Sequence, residues 1–77
     1  MEEDLIEYIA KSLVDEPSCV EVNVIEGERS TMMELRVSTR DIGKVIGKHG
    51  RIAKAIRTVL QAATVRSGKR IMLEILN

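Results

Sequence analysis

The sequence predicts an α+β domain in which three helices cover one face of a three-stranded sheet. Two observations support this prediction. Apolar residues recur every three or four positions in some segments and every second position in others, and the segments follow the order helix, strand, strand, helix, helix, strand. Each predicted strand has one strongly apolar face, so all three helices should lie on that side of the sheet. The 77 residues form one small domain, without internal repeats or linkers.

The first helix is predicted from about Glu3 to Val14. Its end follows from Pro17, because proline lacks an N–H and disfavours helix in the residue before it. One side of this helix is apolar, and we expect that side to pack on the sheet. The apolar residues are Leu5, Ile6, Ile9, Ala10, Leu13 and Val14.

Three segments alternate apolar and polar residues, which is typical of half-buried strands. They run from Cys19 to Ile25, from Met32 to Ser38 and from Ile71 to Leu76. A polar turn at 26–30 joins the first two segments, which predicts an antiparallel hairpin. The face turned away from the helices is mixed, and its apolar side chains belong either to an ordinary surface or to a dimer contact. These side chains are Ile25, Met32, Met72 and Leu76.

A turn bracketed by Gly47 and Gly50 separates the second and third predicted helices. Glycine accepts positive φ and lets another backbone approach closely, so it suits such a turn. The second helix is short, from Asp41 to Ile46, with Ser38 or Thr39 available to cap its start. The third helix is about four turns long, with apolar residues at positions 52, 55, 56, 59, 60 and 63.

The start of the third helix is suited to bind phosphate. Free N–H groups and the helix dipole make a helix N-terminus attractive to anions. Lys48, His49 and Arg51 lie beside this point, so we interpret the turn as a clamp for a nucleic-acid backbone. Other residues can lengthen the positive track or form the core and the wall of a base-binding groove. The further cations are Lys44, Lys54 and Arg57, and the apolar candidates are Ile42, Ile46, Ile52, Leu35 and Val37.

The net charge of zero conceals a strong asymmetry along the chain. Residues 1–39 hold three basic residues against ten acidic ones, a balance of −7. Residues 40–70 hold nine basic residues against one acidic residue, a balance of +8. A polyanion should therefore be attracted to one part of the molecule and repelled by another.

Several classes of function are disfavoured by what the sequence holds. Cys19 is the only cysteine and His49 the only histidine, so we expect no disulfide, no metal site and no catalytic triad. The segment 43–48 lacks the spacing and the hydroxyl residue of a phosphate-binding P-loop. We therefore expect a binding protein without cofactors, not an enzyme. The acidic start and the absence of a long apolar run predict a cytoplasmic protein that is not inserted in a membrane.

The run from Gly43 to Arg57, which contains Val45-Ile46-Gly47-Lys48-His49-Gly50, resembles the I/V-I-G-x-x-G core of the KH domain. The predicted element order is that of the type II, mainly bacterial, KH fold. In detail the chain is similar over nearly all of its residues, 1–77, to small single-KH bacterial proteins of the KhpA family. This resemblance implies a cytoplasmic RNA-binding protein that acts as an RNA chaperone or post-transcriptional regulator, in a family linked to cell elongation and division.

The resemblance also implies how RNA is held. Such a domain grips about four single-stranded nucleotides with its GxxG loop against the sugar-phosphate backbone, which here is the turn from Gly47 to Gly50. The chain departs from the pattern at Ala53, where many KH domains have a larger aliphatic residue, and at His49, where glutamine is expected. Relatives pair with themselves and with a larger KH-containing protein, KhpB, so a homodimer or such a heterodimer is implied as well.

Two alternatives to RNA binding remain open at this point. The KH scaffold could serve chiefly as an assembly module, with protein contacts as its main task. A helix-turn-helix for duplex DNA is weaker, because that task needs no double glycine in the turn and because the predicted hairpin completes the KH order.

Overall fold

The structure of the protein, a computed structural model, describes residues 2–77. It confirms the predicted order of helices and strands and the α+β class. Three short 3₁₀ turns lie between these elements, at Pro17–Cys19, Thr39–Asp41 and Lys48–Gly50. The helices are α1 (Glu2–Leu13), α2 (Ile42–Ile46) and α3 (Arg51–Ser67), and the strands are β1 (Glu21–Glu26), β2 (Ser30–Arg36) and β3 (Arg70–Leu76).

The sheet has the strand order β1-β2-β3. β1 and β2 are antiparallel, as the hairpin prediction requires, whereas β2 and β3 are parallel. A parallel neighbour cannot be reached by a tight turn, so the chain crosses over through α2 and α3 before it returns as β3. This crossover contains the glycine turn, which lies between α2 and α3.

The core between helices and sheet is aliphatic, as expected for a chain with a single aromatic residue. That residue, Tyr8, is exposed on α1 and takes no part in the core. The buried apolar side chains come from all three helices and all three strands or their flanking residues. They are Ile6, Ala10, Val20, Met33, Leu35, Val37, Val45, Ala53, Ile56, Leu60 and Leu73.

The strand boundaries differ from the prediction for local reasons. Cys19 lies in the 3₁₀ turn that begins at Pro17, and the N–H of Val20 donates to the Pro17 carbonyl, so β1 begins only at Glu21. β2 begins two residues earlier than predicted, because the N–H of Gly27 donates to the Ser30 carbonyl and shortens the turn. The alternation of buried and exposed residues along β2 is unaffected.

The apolar side of α3 is rotated relative to the prediction. Ala55 and Val59 were expected to be buried, but both are exposed, and Ala53 is buried in their place. The cause is the position of α1, which packs against β1, β2 and α2 and leaves a groove beside α3. Ala55 and Val59 line this α1–α3 groove, which has a volume of about 300 Å³.

The face of the sheet away from the helices is mixed, as predicted. Ile25 pairs with Met32, and Met32 pairs with Met72, so one apolar row crosses all three strands. The neighbouring row contains Glu34 paired with Glu74. An apolar row therefore lies directly beside a row of carboxylates on this face.

Candidate nucleic-acid interface

The turn at 47–50 depends on two glycines for different reasons. Gly47 has φ +80°, and a Cβ placed on it would lie 2.6 Å from Cγ1 of Ile52. Gly50 has φ +72°, but a Cβ there would meet no atom within 4 Å. Gly47 is thus required by both conformation and close packing, whereas Gly50 is required by conformation alone.

Between the glycines, His49 adopts φ +58°, the left-handed region that few residues other than glycine and asparagine enter. This conformation turns the chain outward before α3 begins. The side chains of Lys48 and His49 are exposed, and so is Arg51 at the first position of α3. The corner between the two helices is therefore not covered by the protein's own side chains.

Three main-chain hydrogen bonds shape the turn. The N–H groups of Gly47, Gly50 and Arg51 donate to carbonyl groups at 43, 47 and 48. Because the N–H of Arg51, at the first position of α3, is used within the turn, the start of that helix offers one donor fewer to a phosphate than the sequence suggested.

Lys44 is engaged within the protein. Its ammonium group contacts the carboxylate of Asp15 and lies 3.4 Å from Oδ1 of Asp41. Asp15 is far away in the sequence, just after the end of α1, so no local pattern could reveal this pairing. The hydrogen bond that Lys44 donates to Asp15, opposed by desolvation and assisted by both negative charges, raises the pKa of Lys44 above its usual range.

The carboxylate of Asp41 binds the main chain of the segment that carries Asp15. Its side chain is only 1% exposed, and its two oxygens accept the N–H groups of Asp15 (3.2 Å) and Glu16 (3.1 Å). Burial by itself would raise the pKa of this carboxyl, but the two N–H groups and Lys44 outweigh burial and lower the pKa. The segment after α1 is thereby fastened beside α2.

The predicted cations on α3 lie on different sides of the helix. Arg51 lines the α1–α3 groove, whereas Arg57 lines a second groove, between α3 and β3. Each step of three residues turns the helix by about −60°, so Lys54 lies between them. The three residues therefore form a path that winds from the glycine turn to the β3 side.

The α3–β3 groove, about 590 Å³ in volume, is the larger of the two. From α3 it receives Arg57 and Gln61, and from β3 it receives Arg70 and Met72. Nη2 of Arg57 lies 3.5 Å from the Leu73 carbonyl, which holds the guanidinium across the groove. Arg70 was counted in the basic part of the chain, 40–70, but was not among the residues predicted to bind RNA, and its position at the start of β3, after a basic loop, was the available signal.

The apolar side chains that were candidates for the groove wall also lie in different parts of the structure. Leu35 and Val37 are buried in the core and line neither groove. Ile42 and Ile52 are half-buried and pack against that core. Ile52 lines the α1–α3 groove and touches Gly47, so it supports the turn from the side opposite to β3.

Metal-binding clusters and membrane-spanning helices are both absent from residues 2–77. No group of three or more histidine, cysteine, aspartate or glutamate residues in that range is placed to hold a metal ion. No helix in the same range is both long and apolar enough to cross a membrane.

The sequence is similar to that of several bacterial proteins. The family model "KhpA/KhpB, KH domain" matches residues 3–75. The RNA-binding protein KhpA of Borreliella burgdorferi is 58% identical over 74 residues, which cover 96% of this chain and 90% of the relative. The protein of the same name from Clostridium perfringens is 58% identical over 95% of this chain and 97% of its own, and that from Treponema pallidum is 53% identical over 100% and 96%.

Two solved structures share the fold. Aquifex aeolicus Era bound to GDP·AlF4⁻ superposes with a TM-score of 0.64 at 21% identity, over 97% of this chain. Era in complex with MgGDPNP and nucleotides 1506–1542 of 16S ribosomal RNA has a TM-score of 0.59 at 22% identity, with the same coverage. This chain spans 29% of the length of each. From the matched model and the curated relatives, the chain belongs to the KhpA/KhpB family of KH-domain proteins.

Proposed function

We propose that this protein binds single-stranded RNA, with the sugar-phosphate backbone at the turn 47–50 and the bases in the α3–β3 groove. The observation that carries the proposal is the exposed corner between α2 and α3, which presents the side chains of Lys48, His49 and Arg51 at the start of the helix whose Arg57 lines the α3–β3 groove. Three curated relatives that are more than half identical are named RNA-binding proteins, which supports the same ligand.

At the turn, the N–H groups of Lys48 and His49 would donate to phosphate oxygens. The charges of Lys48 and Arg51 would hold the same phosphates from either side, because both side chains are exposed at the corner. Hydrogen bonds from donors to an ionised phosphate are stronger than those between neutral groups. No side chain has to move away before a phosphate can approach.

Along the groove, Lys54 and then Arg57 continue the positive path toward β3, where Arg70 faces it. Bases would rest on the aliphatic parts of Leu60 and Met72, with Gln61 as a hydrogen-bonding group. The groove holds no aromatic side chain, so base stacking on a ring, worth about 1–3 kcal/mol per base, is missing. We therefore expect one copy to bind RNA with modest affinity that falls steeply with salt.

The double variant Lys48→Asp with His49→Asp tests this function. It places two carboxylates where the phosphate would lie, so the affinity for a short fluorescein-labelled single-stranded RNA should fall about tenfold or more, measured by fluorescence anisotropy at low salt. A charge-matched control, Lys11→Asp with Asn23→Asp, changes exposed residues on α1 and on the open sheet face. Both variants should keep their melting transitions. An affinity that is unchanged in the turn variant, or equally reduced in the control, would falsify the proposal.

In the cell, we propose that the protein works in the cytoplasm as an RNA chaperone or post-transcriptional regulator, and without a catalytic step. The family resemblance supports this assignment, and modest, salt-dependent binding suits a protein that must release its RNA. Crosslinking of bound RNA in growing cells, followed by sequencing, tests the assignment. Recovery of no RNA above the background of the Lys48→Asp with His49→Asp variant would contradict it.

A second candidate function is assembly through the α1–α3 groove. Leu5 and Val59, on its two sides, are 46% and 50% exposed, and the groove lining is almost wholly apolar. We propose that a second copy of this chain, or a larger KH-containing protein, covers it. The acidic start of α1 beside the basic α3 makes such a contact complementary in charge. Light scattering over a concentration series should show a mass that rises toward that of a dimer, and a constant monomer mass would contradict self-association.

A further inference from the structure

The segment between α1 and β1 carries two carboxylates. They form ion pairs with two cations that precede the glycine turn in the sequence. Asp15 contacts the ammonium group of Lys44, and Oε1 of Glu16 lies 3.4 Å from Nη1 of Arg40. Both cations belong to the basic part of the chain, 40–70, and Lys44 was predicted to bind RNA. Part of the positive charge near the turn is thus neutralised inside the protein.

This arrangement is held by the fold. The N–H groups of Asp15 and Glu16 both donate to the buried carboxylate of Asp41, three residues before Lys44. The main chain of the segment is therefore fixed beside α2, whereas the side chain of Asp15 remains 72% exposed and that of Lys44 42% exposed. Lys44 is thus accessible to an external anion while an internal carboxylate stays next to it.

We propose that Asp15 sets the RNA affinity of this protein, because its carboxylate competes with an RNA phosphate for the ammonium group of Lys44. This inference rests on the proposed RNA-binding function. An exposed ion pair is weak, since water and salt screen it, so a phosphate can displace Asp15 at small cost. The competition lowers affinity without blocking the site, and it favours release of RNA at moderate salt.

The test measures single-stranded RNA binding by Asp15→Asn, which removes the charge and keeps the shape of the side chain. Affinity for a fluorescein-labelled oligouridylate at low salt should rise about two- to fivefold, the range that follows from the strength of an exposed ion pair. The gain should shrink as salt increases. In a Lys44→Gln background, Asp15→Asn should change nothing, because the cation that it frees is absent.

Glu21→Gln serves as the matched control. Glu21 is an exposed acidic residue on the open face of the sheet, so its neutralisation changes the net charge equally without freeing Lys44. Thermal melting establishes that each variant is folded. If Lys44→Gln does not fold, Lys44→Met, which retains the aliphatic stem, replaces it as the background.

The proposal is overturned if Asp15→Asn leaves the affinity unchanged, if Glu21→Gln raises it as much, or if the gain persists without Lys44. Each of these results is distinct from failure of RNA binding at the turn. That failure would appear as an unchanged affinity of the Lys48→Asp with His49→Asp variant in the same titration.

Discussion

The two sides of α3 carry different chemistry although they belong to one helix. On the β3 side, Arg57 and Gln61 face Arg70 across a groove of about 590 Å³. On the α1 side, Ala55 and Val59 face Leu5 across a groove of about 300 Å³ that has almost no polar surface. Charged and hydrogen-bonding groups suit a polyanion with polar bases, whereas an apolar cleft suits another protein surface. One helix can thus present separate surfaces to RNA and to a protein partner, except at Arg51, which lines the α1–α3 groove beside the turn.

The two grooves also meet. Leu60 is 2% exposed and lines both, so it forms a shared floor beneath the RNA side and the protein side. A substitution of this core residue should therefore lower the stability of the fold and affect both grooves. The residues that distinguish the grooves stand at their rims, where substitution should affect one function and spare the other.

Leu60→Ala should have the largest effect on the protein. Removing a buried leucine side chain leaves a cavity and costs about 2–5 kcal/mol of unfolding free energy. Urea denaturation measures this loss, and at a given urea concentration both RNA binding and self-association should decline with the folded fraction. Val65→Ala, on the same helix but 86% exposed, is the control and should change the free energy by less than about 0.5 kcal/mol. A Leu60→Ala loss as small as the control's would mean that the grooves do not share a packed floor.

Substitutions at the rims of the two grooves should affect RNA binding and self-association separately. Arg57→Gln with Arg70→Gln removes two cations from the β3 side, and we expect RNA affinity to fall about thirtyfold, from roughly 1 kcal/mol for each charge-assisted contact. Self-association should be unaffected. Val59→Glu, on the other rim, should reduce self-association and leave the RNA affinity of one copy within about twofold. Anisotropy and light scattering on both variants provide all four measurements.

If either variant changes RNA affinity and self-association to the same extent, the two sides of α3 do not have separate functions. Such a result would show that RNA and a protein partner use one continuous surface around α3. The melting temperature of each variant excludes loss of folding as the cause.

Hydrophobic periodicity predicted the elements of this fold because each strand and helix has a face that must be buried. It could not predict which side of α3 would stay open. The apolar residues of that helix include Ala55, Val59 and Ile56. Ile56 is buried, whereas Ala55 and Val59 remain exposed because α1 leaves an open groove beside α3. Periodicity records that a residue is apolar, not whether a neighbouring helix reaches it.

The glycine turn was the most predictable part of the site. Positive φ at Gly47 and Gly50 follows from the residue type and the turn, and the structure has it. The role of Lys44 was the least predictable, because its partners Asp15 and Asp41 meet only after α1 and α2 pack together. A charge count treats every lysine as free, and long-range ion pairs are invisible to it.

The last prediction has a smaller expected effect. It concerns how the stability contributed by the Asp41 carboxylate depends on pH. Since the pKa of this carboxyl is lowered on folding, its ionised form stabilises the protein above the unfolded pKa of about 3.9, and this contribution is lost as the pH falls through the lower folded value. Asp41→Asn leaves one of the N–H groups of Asp15 and Glu16 without its acceptor, so its melting temperature should be lower than that of the wild type at neutral pH.

The gap in melting temperature between the wild type and Asp41→Asn should be constant from about pH 5 to pH 8 and should narrow below about pH 4, as the wild-type carboxylate becomes protonated. Glu28→Gln, at an exposed position in the turn between β1 and β2, provides the control and should show no such gap. A gap that stays constant down to the lowest pH at which the protein folds would show that the charge of Asp41 does not hold the segment. In that case the anchor would act by hydrogen-bond geometry alone.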